Sequence, residues 1–75
     1  MIINFSRHAN RRARLYAIPE QTVIDILQNE KLEPGKHEII KDVPDFSLPI
    51  KIVIVMEDDV LTVVTVYLLK KGRLT

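Results

Sequence analysis

Residues 50–69 read IKIVIVMEDDVLTVVTVYLL, and this stretch decides the fold class. Isoleucine and valine crowd both IKIVIVME (50–57) and VLTVVTVYLL (60–69). Such β-branched side chains suit a pleated backbone. The acidic pair Asp58-Asp59 between them reads as the turn of a hairpin. Apolar residues fill nearly every position, which predicts central strands covered on both faces or set against a dimer partner. Strict alternation places Thr65 and Tyr67 on one face of the last strand, together with Leu61, Val63 and Leu69.

Upstream, Lys36 to Val43 is a half-polar candidate for an edge strand. A proline-bounded loop, PDFSLP (44–49), joins it to the hairpin, and Pro34-Gly35 before it is a turn signal. The N-terminal part has a different period. After the short apolar start Ile2, Ile3 and Phe5, Ser6 reads as a helix N-cap. From Arg7 to about Tyr16 every residue tolerates a helix. Ala9, Ala13 and Tyr16 fall on its core side, and Arg7, Arg11 and Arg14 fall toward water. His8, Arg12 and Leu15 lie on the flank between. Pro19 breaks this helix and opens a second, Glu20 to about Gln28. Val23, Ile24, Ile26 and Leu27 form its apolar arc, and Glu20 complements the helix dipole. The expected architecture is α+β, with an N-terminal helix pair packed on a small antiparallel sheet of three to four strands.

The chain has 75 residues, which reads as one domain spanning 1–75. A domain of this size buries an incomplete core, and a dimer or partner protein would help it. There is no cysteine, which excludes disulfides and thiolate metal sites. The apolar run from Ile50 to Met56 is too short to span a bilayer. No basic start followed by an apolar run marks a secretory signal. No membrane association and a cytoplasmic location are expected.

Net charge is only +1, but its distribution is uneven. Arg7, Arg11, Arg12 and Arg14 precede any acid, and Lys70, Lys71 and Arg73 follow the last one. All ten acids lie between Glu20 and Asp59. If the two basic ends meet, they form a local patch for a polyanion. Otherwise they are solvated charges that keep a small protein dispersed.

His8 and Arg12 stand four residues apart, so a helix presents both on one face. Histidine moves protons near neutral pH, and arginine grips phosphate with a planar fork of donors. Metal-free RNA cleavage needs little more, because RNA supplies its own 2′-hydroxyl nucleophile. Tyr16, one turn on, could orient Arg12 or add a hydroxyl. The plainer reading has His8 packing on the first turn and Arg12 pairing with an acid. Thr65 and Tyr67 are likewise either polar groups with a task or simply good strand formers. With two glycines the chain holds no phosphate-binding loop. His8 and His37 lack partners at metal-ligand spacing, so neither a metal nor another cofactor is expected.

The segment SRHANRRARLYAIPEQTVIDIL (6–27) resembles the opening of a family of small bacterial and archaeal proteins, the domain of unknown function 4258 family. The matching positions are Ser6, His8, Ala9, Arg12, Ile18 and Pro19. The ending VVTVY, Val63 to Tyr67, resembles that family's last strand. The resemblance implies membership of the RelE-like and barnase-like group of ribonuclease toxins. It implies metal-independent RNA cleavage by His8 and Arg12, with polar groups on the sheet, here Thr65 and Tyr67. Arg7, Arg11, Tyr16, Lys70, Lys71 and Arg73 are then candidate RNA contacts. Such toxins often sit beside an antitoxin, so a protein partner is implied. Many members carry a second arginine eight residues after the histidine, followed by glycine. Here those positions are Tyr16 and Ala17, so an inactive descendant remains an alternative. The competing class is a non-catalytic interaction module that forms a homodimer or pairs with an antitoxin through its apolar strands.

Overall fold

The computed structural model describes residues 2–69. Six elements follow one another: β1 (Ile2–Phe5), α1 (Arg7–Leu15), α2 (Glu20–Gln28), β2 (Gly35–Lys41), β3 (Ile50–Glu57) and β4 (Val60–Leu68). The fold is α+β, a helix pair packed on a four-stranded sheet of order β1-β4-β3-β2. The hairpin β3–β4 forms its centre, and β2 is an antiparallel edge strand. The apolar start of the chain is itself a strand. It pairs in parallel with β4, Ile2 opposite Val60 and Phe5 opposite Val63, so the sheet is mixed.

Local chemistry accounts for the element boundaries. Ser6 has extended backbone, and its hydroxyl accepts from the Ala9 amide, as an N-cap does. α1 stops at Tyr16, after which Ala17 takes a left-handed φ of 56°. Pro19 caps α2, and Glu20 sits in its first turn. Gly35 opens β2 at φ 121°, a conformation that side chains rarely adopt. In the β3–β4 turn Asp58 takes φ 54°, which aspartate tolerates better than most residues.

One face of the sheet carries the core. Ile50, Ile52 and Ile54 of β3 and Leu61, Val63 and Val66 of β4 are fully buried there. α1 adds Ala9 and Ala13 to the cluster, α2 adds Val23 and Leu27, and the link between them adds Ile18. Ile3 and Phe5 of β1, Ile39 of β2, and Val43 and Phe46 of the following loop complete it. Both helices therefore lie on the same side, and β3 and β4 are covered by helices on one face only.

A bulge in β4 sets which residues face the core. Val53 pairs with Thr65 and Ile54 with Val63, so Val64 has no partner on β3. A single extra residue reverses the side-chain parity on either side of it. Leu61 and Val63 before the bulge point into the core, and so do Val66 and Leu68 after it. Thr65 and Tyr67 thus lie on the opposite face, on which no described helix packs. This corrects the expectation that they share a face with Leu61 and Val63.

Candidate functional site

α1 carries four of the chain's arginines in nine residues and no acid in its first turn. Its apolar side is narrow, because only Ala9 and Ala13 are buried among its own residues. Alanine lets the helix backbone approach β4 closely. The longer side chains are then left around its outer rim. Arg7, His8, Arg11 and Arg14 are exposed, and Arg12 is half-buried. Arg12 and Arg14, in the last turn, suit the negative end of the helix dipole. Arg7, in the first turn, opposes it.

His8, Arg11, Arg12, Arg14 and Leu15 line an open cleft of about 490 Å³. The helical spacing does bring His8 and Arg12 together, as one face of a helix should. Leu15 is 66% exposed and gives the cleft an apolar edge. Among the described residues, none of these arginines forms a salt bridge, and His8 makes no hydrogen bond. The ion pairs that do form lie elsewhere: Lys41 with Glu30, and Lys51 with Glu38, each at 3.0 Å. The lining of the cleft is mainly apolar, and no salt bridge with the described acids neutralises the cationic residues around it. The arginines among them can hold an anion with planar, bidentate contacts.

The other candidate residues do not join it. Tyr16 packs against the core and does not line the cleft. Thr65 and Tyr67 stand on the far face of the sheet, opposite Val53 and Lys51. The sheet itself separates them from His8 and Arg12, so the four residues expected to act together do not form one site. Tyr67 instead faces Lys51, whose ammonium lies 5.9 Å from the ring centroid. Lys70, Lys71 and Arg73 lie outside the described residues. His37 is occupied locally, with its Nε2 2.6 Å from the Glu33 carbonyl oxygen. No group of three or more potential metal ligands occurs among the described residues.

The sequence identifies Ser6 as a cap but not its tie to the sheet, nor the role of Val64. Ser6 is more than a cap: its Oγ donates to the Val64 carbonyl at 2.9 Å, and its amide donates to Val63 at 3.0 Å. Val64, the bulge residue, supplies that carbonyl. The signal was present in LTVVTVYL (61–68), where the buried positions shift from odd to even numbers across the double valine. Compared with protein-family models, curated proteins and solved structures, the chain matches none.

Proposed function

We propose that the chain is a toxin-like, metal-independent ribonuclease that holds RNA phosphates in the α1 cleft. The carrying observation is the convergence of His8, Arg11, Arg12 and Arg14 on one cleft without an opposing acid. Helix stability accounts for Arg12 and Arg14 in the last turn but not for Arg7 and Arg11. Arg7 at the positive end of the dipole costs stability, and like charges at Arg7 and Arg11 repel one another. A bound polyanion would offset both costs.

In this reading Arg12, half-buried and fixed on the helix flank, clamps the scissile phosphate, and Arg11 spreads the developing negative charge. Neutral His8 takes the proton of the RNA 2′-hydroxyl as its oxygen attacks the adjacent phosphorus. The P–O5′ bond breaks, and water protonates the departing oxygen. The products are a 2′,3′-cyclic phosphate end and a 5′-hydroxyl end. Thr65 and Tyr67 have no part in this step. A cytoplasmic location and a protein antitoxin that covers the cleft belong to the same proposal. No helix among the described residues is long and apolar enough to cross a membrane.

The test is purified protein with cellular RNA in EDTA, beside His8→Ala and Arg12→Ala. Cleavage that both substitutions abolish supports the reading. RNA left intact by protein that still binds it would leave an inactive, RNA-binding descendant. A second reading, a non-catalytic interaction module, is favoured by the separation of Thr65 and Tyr67 from His8. With no second proton carrier among the described cleft residues, His8 would act alone.

A further inference from the structure

Among the described residues, only Val53 is buried within the face of the sheet away from α1 and α2, and no helix packs on that face. Its residues follow from the register: Ile2 and Asn4 on β1, Val60, Thr62, Thr65 and Tyr67 on β4, Lys51, Val53, Val55 and Glu57 on β3, and Lys36, Glu38 and Ile40 on β2. The middle of this face is uncharged, made by Val53, Val55, Thr62 and Thr65. Ile40 is 56% exposed and Ile2 57%, at opposite edges, and the bulge residue Val64 is 37% exposed. A one-sided sheet in contact with water normally alternates toward polar residues on its outer face. On β4 it does, with Thr62, Thr65 and Tyr67, but the outward middle of β3 is Val53 and Val55.

We infer that this face is the contact between two copies of the chain, packed sheet to sheet. Charge is the first argument. Two lysines, Lys36 and Lys51, and two glutamates, Glu38 and Glu57, make the face neutral. Lys51 and Glu38 already pair within the copy. Among the described residues Lys36 and Glu57 form no salt bridge, one charge of each sign. A polyanion or a strongly acidic protein gains nothing on such a face, whereas a second identical face meets it without net repulsion.

Area is the second argument. The strands have 4, 7, 8 and 9 residues, and at about 3.3 Å per residue and about 4.8 Å between strands their footprint is roughly 440 Å². Two such faces bury about 900 Å², at the small end of interface sizes, which suits a weak dimer. Sheets stacked in this way leave the helices as the two outer layers. Both arginine clefts then stay open, so the inference does not depend on what they bind.

Sedimentation equilibrium on the full chain, over micromolar to submillimolar concentrations, tests it. The wild type should dimerise. Val55→Lys, in the middle of the face, should raise the dissociation constant at least about tenfold. Ile40→Lys, at an exposed edge position that cannot disturb the core, should raise it as well. Leu15→Lys, exposed on α1, should leave it unchanged. Circular dichroism of each variant establishes that the fold is retained. A wild-type chain that stays monomeric throughout overturns the inference, as does a dimer that persists in both Val55→Lys and Ile40→Lys. A dimer broken by Leu15→Lys would place the contact on the helices and overturn it equally.

Discussion

The Ser6 hydroxyl donates to the carbonyl of Val64 at 2.9 Å while accepting from the amide of Ala9 at the same distance. One small side chain thus joins the start of α1 to the bulge of β4, 58 residues further along the chain. The link fixes where α1 begins on the sheet, and so where the arginine cleft sits. Removing it with Ser6→Ala should cost about 1–2 kcal/mol, the range of a lost cap with a second hydrogen bond. Ser6→Thr should retain most of the stability. Ser6→Asp separates the two roles, because a carboxylate caps well but cannot donate to Val64. Thermal melts should rank the aspartate variant below threonine. Equal melting temperatures for serine and alanine would mean that the Ser6 hydroxyl does not help to seat α1 on the sheet.

Because the sheet stands between the two groups of polar residues, RNA assays should divide the variants cleanly. Arg11→Ala and Arg12→Ala should each weaken binding several-fold and flatten its salt dependence by about 0.7 per lost phosphate contact on single-stranded RNA. His8→Ala should abolish cleavage with little change in melting temperature, since His8 is exposed and makes no hydrogen bond to the described residues. Thr65→Ala and Tyr67→Phe should leave cleavage as it was. Loss of activity in either of those two would return the catalytic centre to the sheet.

Much of the architecture was legible because it rests on local chemistry. The N-cap at Ser6, the alanine seam of α1, the break at Pro19, the apolar arc of α2 and the Asp58-Asp59 turn all announce themselves within a few residues. The pairing of His8 with Arg12 followed from helical spacing alone. The parallel pairing of β1 with β4 did not, because four residues have too little pattern to define a strand, and their partner lies 58 positions away. The face of Thr65 and Tyr67 was misread for one reason. Alternation was carried straight through Val63-Val64, where the strand holds an extra residue. The site thus contracted from two groups of residues to one helix. Whether His8 acts chemically is not a matter of pattern, because an exposed imidazole beside arginines is built the same way for catalysis as for binding.

The open face carries one ion pair whose pH response has a definite sign. Glu38 is held below the usual carboxylate value, first by its hydrogen bond with Lys51 and then by that ammonium's charge. Lys51 is raised above the usual lysine value, first by the bond to Glu38 and then by Tyr67. A depressed carboxylate contributes stability above its unfolded value and loses it as the pH falls through the folded one. A raised lysine contributes below its unfolded value and loses it as the pH rises through the folded one. The pair should therefore contribute evenly across neutrality and fade at both extremes. Glu38→Gln should melt slightly below the wild type at pH 7, and the gap should close in strong acid, where Glu38 is protonated. Glu38 is exposed and Lys51 half-buried, so solvent screens the pair and the gap is small even at its largest. A gap unchanged from neutral to strongly acidic pH would mean that the charge of Glu38 contributes nothing.

The seating of α1 can be tested without reference to any ligand. Ala9 is fully buried on the side of α1 that packs on β4. Ala9→Leu should overpack that seam at a cost of about 1–3 kcal/mol. In a domain this small each kcal/mol lowers the melting temperature by about 4–8 °C. Ile52→Ala, on the fully buried row of β3, should cost more, about 2–5 kcal/mol, because it opens a cavity rather than crowding one. The two variants should also differ in kind. Overpacking at Ala9 lifts the helix, strains the Ser6–Val64 link and moves the arginines, so anion binding should weaken even at temperatures where the chain is fully folded. The cavity at Ile52 opens on β3 rather than on β4, where α1 is seated, and should leave binding by the folded fraction intact. Full stability and unchanged anion binding in Ala9→Leu would mean that α1 is not seated on β4 by its alanines, and the position of the cleft would fall with it.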